Sequence, residues 1–73
     1  MKPFNTIVAE IFKIGEADVR DEMSSKDIPE WDSMNYLLFI AELEKEYGVS
    51  FSMDQVMSAQ TLGDLHRVVE EKK

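Results

Sequence analysis

The chain has 73 residues, of which 15 are acidic and 8 basic, giving a formal net charge of −7. That length admits one small domain, residues 1–73, and excludes a nucleotide-binding domain joined to a substrate domain. The acidic balance lacks the basic footprint that nucleic acid requires and disfavours insertion at an anionic membrane surface.

The first residues, Met1-Lys2-Pro3-Phe4, open no long apolar run, so neither a signal peptide nor a spanning helix is expected and the default location is cytoplasmic. Phe4, Ile7, Val8 and Ile11 then recur at i, i+3, i+4 and i+7, which predicts a helix from Pro3 to Ile14. Pro3 suits its first turn and Gly15 its stop. From Gly15 to Trp31 the period fails. This polar stretch reads as a long loop pinned by Val19, Met23, Ile28 and Trp31, with room for one short helical turn. Loops of that length are uncommon in small domains and are often functional.

Asp32-Ser33 opens the strongest helix, running to about Tyr47 with Gly48 at its C-terminal cap; either residue suits the N-cap. Tyr36, Phe39, Ile40, Leu43 and Tyr47 form one apolar stripe. Met34, Leu37, Leu38 and Ala41 form a second, which is either buried under the loop or exposed for a partner. A connector over 49–52 follows, with Phe51 expected to be buried. Ser52-Met53-Asp54-Gln55 fits a capping box, so a short helix through Met57 follows. Thr61 caps a last helix carrying Leu62, Leu65 and Val69, with Lys72 and Lys73 at its C-terminal end. The fold class is all-α: a small four-helix bundle with a long loop between helices 1 and 2 and a short third helix.

The chemistry is sparse. There is no cysteine, so disulfides, thiolate metal sites and cysteine nucleophiles are excluded. His66 is the only histidine and reads as an ordinary helix residue rather than a metal ligand. Glu42 and Glu46 share a helix face, but paired carboxylates need a cleft to act as acid and base. No catalytic set and no metal site are expected. The charge is concentrated instead. Between Asp27 and His66 lie eight acids and one base, Lys45, while the rest of the chain is neutral. Such a stretch steers partners that present Lys or Arg. Ser33 stands where the long loop meets the best helix, next to the positive end of that helix.

Asp32-Ser33-Met34, preceded by Trp31, resembles the Asp-Ser-Leu motif of the acyl carrier proteins, the related peptidyl carriers included. The run from Phe39 to Phe51 and the later Thr61-Leu62-Gly63-Asp64-Leu65 are similar to that family's second-helix exit and fourth-helix start, so the likeness extends from Phe4 to Val69. The resemblance implies that Ser33 carries 4′-phosphopantetheine, placed there from coenzyme A by a Mg²⁺-dependent phosphopantetheinyl transferase. The cofactor's thiol would then hold acyl or aminoacyl groups as thioesters. It also implies that Asp32 and Met34 contact the transferase and partner enzymes. Leu37, Leu38 and Ala41 would face the partner groove, and Glu42 and Glu46 would meet basic docking surfaces of loading and condensing enzymes. The chain would be a stand-alone, monomeric carrier for fatty-acid, polyketide or other specialised biosynthesis, not an enzyme. Two departures matter: Met34 replaces the usual leucine, and Leu38 stands where fatty-acid carriers hold an acid. With Trp31, the second points away from housekeeping fatty-acid synthesis. Five methionines and the long loop suit an interior into which long cargo could slip. The competing readings are an acidic helical adaptor that docks through the Met34 stripe, with Ser33 only a cap, and a small acidic enzyme using Glu42 and Glu46.

Overall fold

A computed structural model describes residues 2–72; Lys73, the second of the two expected terminal cations, lies outside them. Four helices occur in the order α1 (Phe4–Phe12), α2 (Ser33–Tyr47), α3 (Met53–Ser58) and α4 (Leu62–Lys72), with a 3-10 turn at Glu16–Asp18 inside the long loop. The described residues contain no strand, only one isolated bridge between Ser24 and Thr61. The protein is therefore an all-α four-helix domain.

α1 buries Phe4, Ile7, Val8 and Phe12, while Ile11 is only partly buried. The helix stops earlier than the apolar spacing suggests. Lys13 takes the left-handed conformation at φ 59°, whereas Gly15 is extended at φ −67°. A non-glycine residue seldom adopts that conformation. Packing holds the turn in place: the Thr6 hydroxyl donates to the Glu16 carboxylate at 2.9 Å and ties the 3-10 turn back onto α1.

α2 starts on an Asp32 N-cap and ends on Gly48, whose φ of 65° is the left-handed geometry that glycine adopts without strain. Its buried face is Phe39, Ile40 and Leu43, flanked by half-buried Tyr36 and Tyr47. The second stripe is not covered by the loop. Met34, Leu37 and Leu38 are 72%, 60% and 51% exposed. Beyond the helix, Val49 is the buried residue and Phe51 only half-buried.

α3 has the capping box the sequence announces, with the Gln55 N–H donating to Ser52 Oγ at 3.1 Å and the Ser52 N–H donating to Gln55 Oε1 at 2.9 Å. It runs one residue beyond Met57 and has no buried residue of its own. α4 buries Leu62, Leu65 and Val69. Its start is capped reciprocally. Thr61 Oγ1 accepts from the Asp64 N–H, and the Asp64 carboxylate accepts from the N–H groups of Gln60 and Thr61. Those two backbone donors are the main reason the Asp64 carboxyl is held below its ordinary value.

The long loop is anchored by Ile28, which is fully buried, and by half-buried Val19, Met23 and Trp31. Its backbone is stitched to the head of α4. The Leu62 N–H donates to Met23 O at 2.9 Å and the Gly63 N–H to Asp21 O at 2.7 Å. At Gly63 a Cβ would come within 3.0 Å of Asp21 Cβ and carbonyl O, so glycine is what permits the approach. Core burial dominates the energetics. Each large apolar side chain that is fully buried contributes about 1.5–3 kcal/mol, whereas the solvent-screened Lys2–Glu10 ion pair adds little.

Candidate functional site

Ser33 is the first residue of α2 and is exposed. Two neighbouring residues could serve as the helix cap, and the structure distinguishes them. Asp32 has the extended backbone an N-cap needs, at φ −111° and ψ 179°, and its carboxylate accepts from the Asn35 N–H at 2.8 Å. The Asn35 side chain in turn donates to Glu30 O at 2.8 Å and fixes the approach of the loop to the helix. Ser33 is thereby freed from capping. Its hydroxyl makes no hydrogen bond to the described residues, and neither do the N–H groups of Ser33 and Met34. An exposed hydroxyl beside unpaired helix-start N–H groups suits an attached phosphodiester, whose charge the helix end favours.

Met34, Leu37, Leu38 and Ala41 are all exposed on the α2 face that leads away from Ser33. Glu42 and Glu46 are half-buried. Glu46 accepts from the Lys2 backbone N–H at 2.7 Å. The Lys2 ammonium is held above its ordinary value, chiefly by its hydrogen bond and charge interaction with Glu10, with smaller contributions from Glu42 and Glu46. Glu44 accepts from the Phe51 N–H at 2.7 Å and is occupied in holding the connector. Glu44 and Glu46 thus hold backbone N–H groups of neighbouring segments, and the α2 face that leads away from Ser33 is apolar.

Sequence reasoning did not find the groove beside Ser33. It has a volume of about 360 Å³ and is lined by Trp31, Ser33, Tyr36 and Leu37 on one side and by Met53, Val56, Met57 and Ala59 on the other. Met53 and Met57 are 71% and 77% exposed at i, i+4 on a helix that buries nothing, and that spacing was the available signal. The Tyr36 hydroxyl donates to Val56 O at 2.6 Å across the groove floor. Burial, helped by the negative charge of Asp64, pushes the Tyr36 phenol up from its ordinary value.

Two roomier clefts, of about 460 and 540 Å³, surround His66, but charged side chains rim both and neither includes Ser33. His66 stacks on Phe4 with ring centroids 4.4 Å apart, and its ring nitrogens lie 3.4 Å from Asp21 and 3.6 Å from Glu70. Among the described residues no group of three or more His, Cys, Asp or Glu could hold a metal ion. No described helix is long and apolar enough to cross a membrane.

The serine, its vacated capping role and the adjoining apolar groove agree with the comparison to known families. The model for the phosphopantetheine attachment site matches residues 4–69. Nearly the whole chain is thus accounted for, and it belongs to that family: it is a carrier protein whose cofactor is covalently attached 4′-phosphopantetheine.

Proposed function

We propose that Ser33 is the attachment residue and that the chain is a monomeric, cytoplasmic carrier. It presents acyl or aminoacyl groups to enzymes of fatty-acid, polyketide or other specialised biosynthesis. The observation that carries this reading is the division of labour at the head of α2: Asp32 caps the helix, and Ser33 is left exposed and unbonded in a chain whose family is defined by such an attachment.

The bound cofactor supplies the thiol on which cargo is held as a thioester. The residues of the chain do the rest. Ser33 Oγ forms the bond to phosphorus as the pyrophosphate bond of coenzyme A breaks. Adenosine 3′,5′-bisphosphate leaves, and the hydroxyl proton passes to a base of the transferase. Met34, Leu37, Leu38 and Ala41 offer partners an apolar contact next to the attachment point. The acidic stretch from Asp27 to His66, Glu42 and Glu46 included, attracts basic docking surfaces from a distance. Exposed Leu38, at the position of an acid in fatty-acid carriers, favours service outside housekeeping fatty-acid synthesis.

The test is mass spectrometry after incubation with coenzyme A, Mg²⁺ and a promiscuous phosphopantetheinyl transferase. The wild-type chain is expected to gain one phosphopantetheinyl group and Ser33→Ala none. An unmodified wild-type chain would return the protein to the reading of an apolar docking adaptor.

A further inference from the structure

Three aromatic rings form a continuous, nearly parallel stack beside Ser33. Phe12 and Trp31 have centroids 5.3 Å apart at 16°, and Trp31 and Tyr36 are 5.6 Å apart at 20°. The inner end of the stack is part of the core, for Phe12 is fully buried and its ring lies 5.1 Å from that of Phe39. The outer end is fastened to α3 by the Tyr36 hydrogen bond to Val56 O. Behind the stack the interior is filled by Ile28, Leu43, Leu62 and Leu65, all fully buried. In front of it lies the 360 Å³ groove, which no charged side chain lines.

We propose that Trp31 and Tyr36, bolted to α3 through Val56, form a barrier that selects cargo by length and charge. The arm on Ser33 folds back so that its acyl group lies in the surface groove. The carrier therefore serves neutral acyl groups short enough to remain there and excludes long chains from its core. This inference rests on Ser33 bearing the arm.

The physical argument compares two routes. A chain entering the core must part Tyr36 from Val56, which leaves a half-buried carbonyl without its donor, and must open two ring contacts. It must also displace side chains from an interior that has close packing. A short acyl group in the groove meets Leu37, Met53 and Met57 and breaks nothing. An aminoacyl group would bring its ammonium against an apolar wall that offers no carboxylate. The barrier opposes the expectation, drawn from the five methionines and the long loop, that long cargo slips between the helices.

The experiment uses the full chain loaded by a transferase from acetyl-, octanoyl-, palmitoyl- and aminoacyl-coenzyme A. Mass spectrometry first establishes loading at Ser33; failure at that step overturns the attachment reading and is seen before cargo placement is measured. Amide exchange at Phe39, Leu43 and Leu65 then reports the core, and emission from Trp31, the single tryptophan, reports the groove. In the wild-type chain, core exchange is expected to change by less than about twofold across the acyl lengths. Trp31 emission should shift on octanoyl loading and not on aminoacyl loading. In Tyr36→Phe, octanoyl loading should slow core exchange by about fivefold or more, as cargo bound inside stabilises the closed state. Core exchange that slows steadily with acyl length in the wild type overturns the proposal, and this arm does not depend on the variant. Indifference of Tyr36→Phe to acyl length, or an equal Trp31 shift with the aminoacyl arm, does so as well.

Discussion

The Asp32 carboxylate accepts the Asn35 backbone N–H at 2.8 Å, one residue ahead of the serine that would otherwise be the natural cap. Aspartate and serine are near-equal in this role, so removal of the aspartate invites its neighbour to take over. Asp32→Ala is expected to cost about 1 kcal/mol of stability, read by denaturant unfolding. It should also slow phosphopantetheinyl transfer to Ser33 in a mass-spectrometric time course. An unchanged transfer rate would show that the hydroxyl is equally available with or without the Asp32 cap.

Two leucines of α2 differ in burial and so in what their substitution should change. Leu43 is fully buried, and Leu43→Ala is expected to cost about 2–5 kcal/mol. Leu38 is 51% exposed, and Leu38→Glu should leave stability within about 0.5 kcal/mol. The same change restores the acid found in fatty-acid carriers, so a fatty-acid condensing enzyme should accept the loaded variant better than the wild type in a competition assay.

Gly63 is required by contact rather than by backbone angle. An alanine there would press its Cβ to within 3.0 Å of Asp21 Cβ and carbonyl O and disturb the 2.7 Å bond from the Gly63 N–H. Gly63→Ala is expected to destabilise by about 1–3 kcal/mol, as overpacking does. Amide exchange at Leu62 and Gly63 should rise more than at Phe39.

Asp64 gives the domain an acid-sensitive joint. Its carboxyl is held below its ordinary value chiefly by the N–H groups of Gln60 and Thr61. As pH falls the unfolded chain therefore takes up this proton first. The stability it contributes is complete above the ordinary carboxylate value and is lost as pH falls through the lowered one. Asp64→Asn should be less stable at neutral pH and should show a shallower loss between about pH 5 and pH 2 in thermal unfolding scans.

The element order and the buried faces were legible in the sequence because helical period is a local property. Phe39, Ile40 and Leu43, and likewise Leu62, Leu65 and Val69, share one side at that spacing and lie inside. The capping box at Ser52 and the left-handed turn at Gly48 were equally local. What escaped was set by contacts between distant residues. Lys13 rather than Gly15 turns the chain, because the following 3-10 segment is fastened to α1 through Thr6 and Glu16. Ile11 yields its expected place to Phe12, whose ring joins Trp31. The groove needs α3 laid against α2 through Tyr36 and Val56, twenty positions apart, which no periodicity announces. Between Asp32 and Ser33 the cap was ambiguous by residue type and was settled by backbone geometry.

The stitching of the long loop to the start of α4 has a consequence for synthesis of the chain. The carbonyls of Asp21 and Met23 accept from the N–H groups of Gly63 and Leu62, and Ser24 bridges to Thr61, so this part of the loop completes its long-range bonding only when 61–63 are present. On the ribosome, a nascent polypeptide shorter than that would hold α1 against α2 but leave the loop between them without its anchor on α4. In a nascent polypeptide that stops before residue 61, the loop amides from 21 to 24 should therefore be poorly protected from hydrogen exchange.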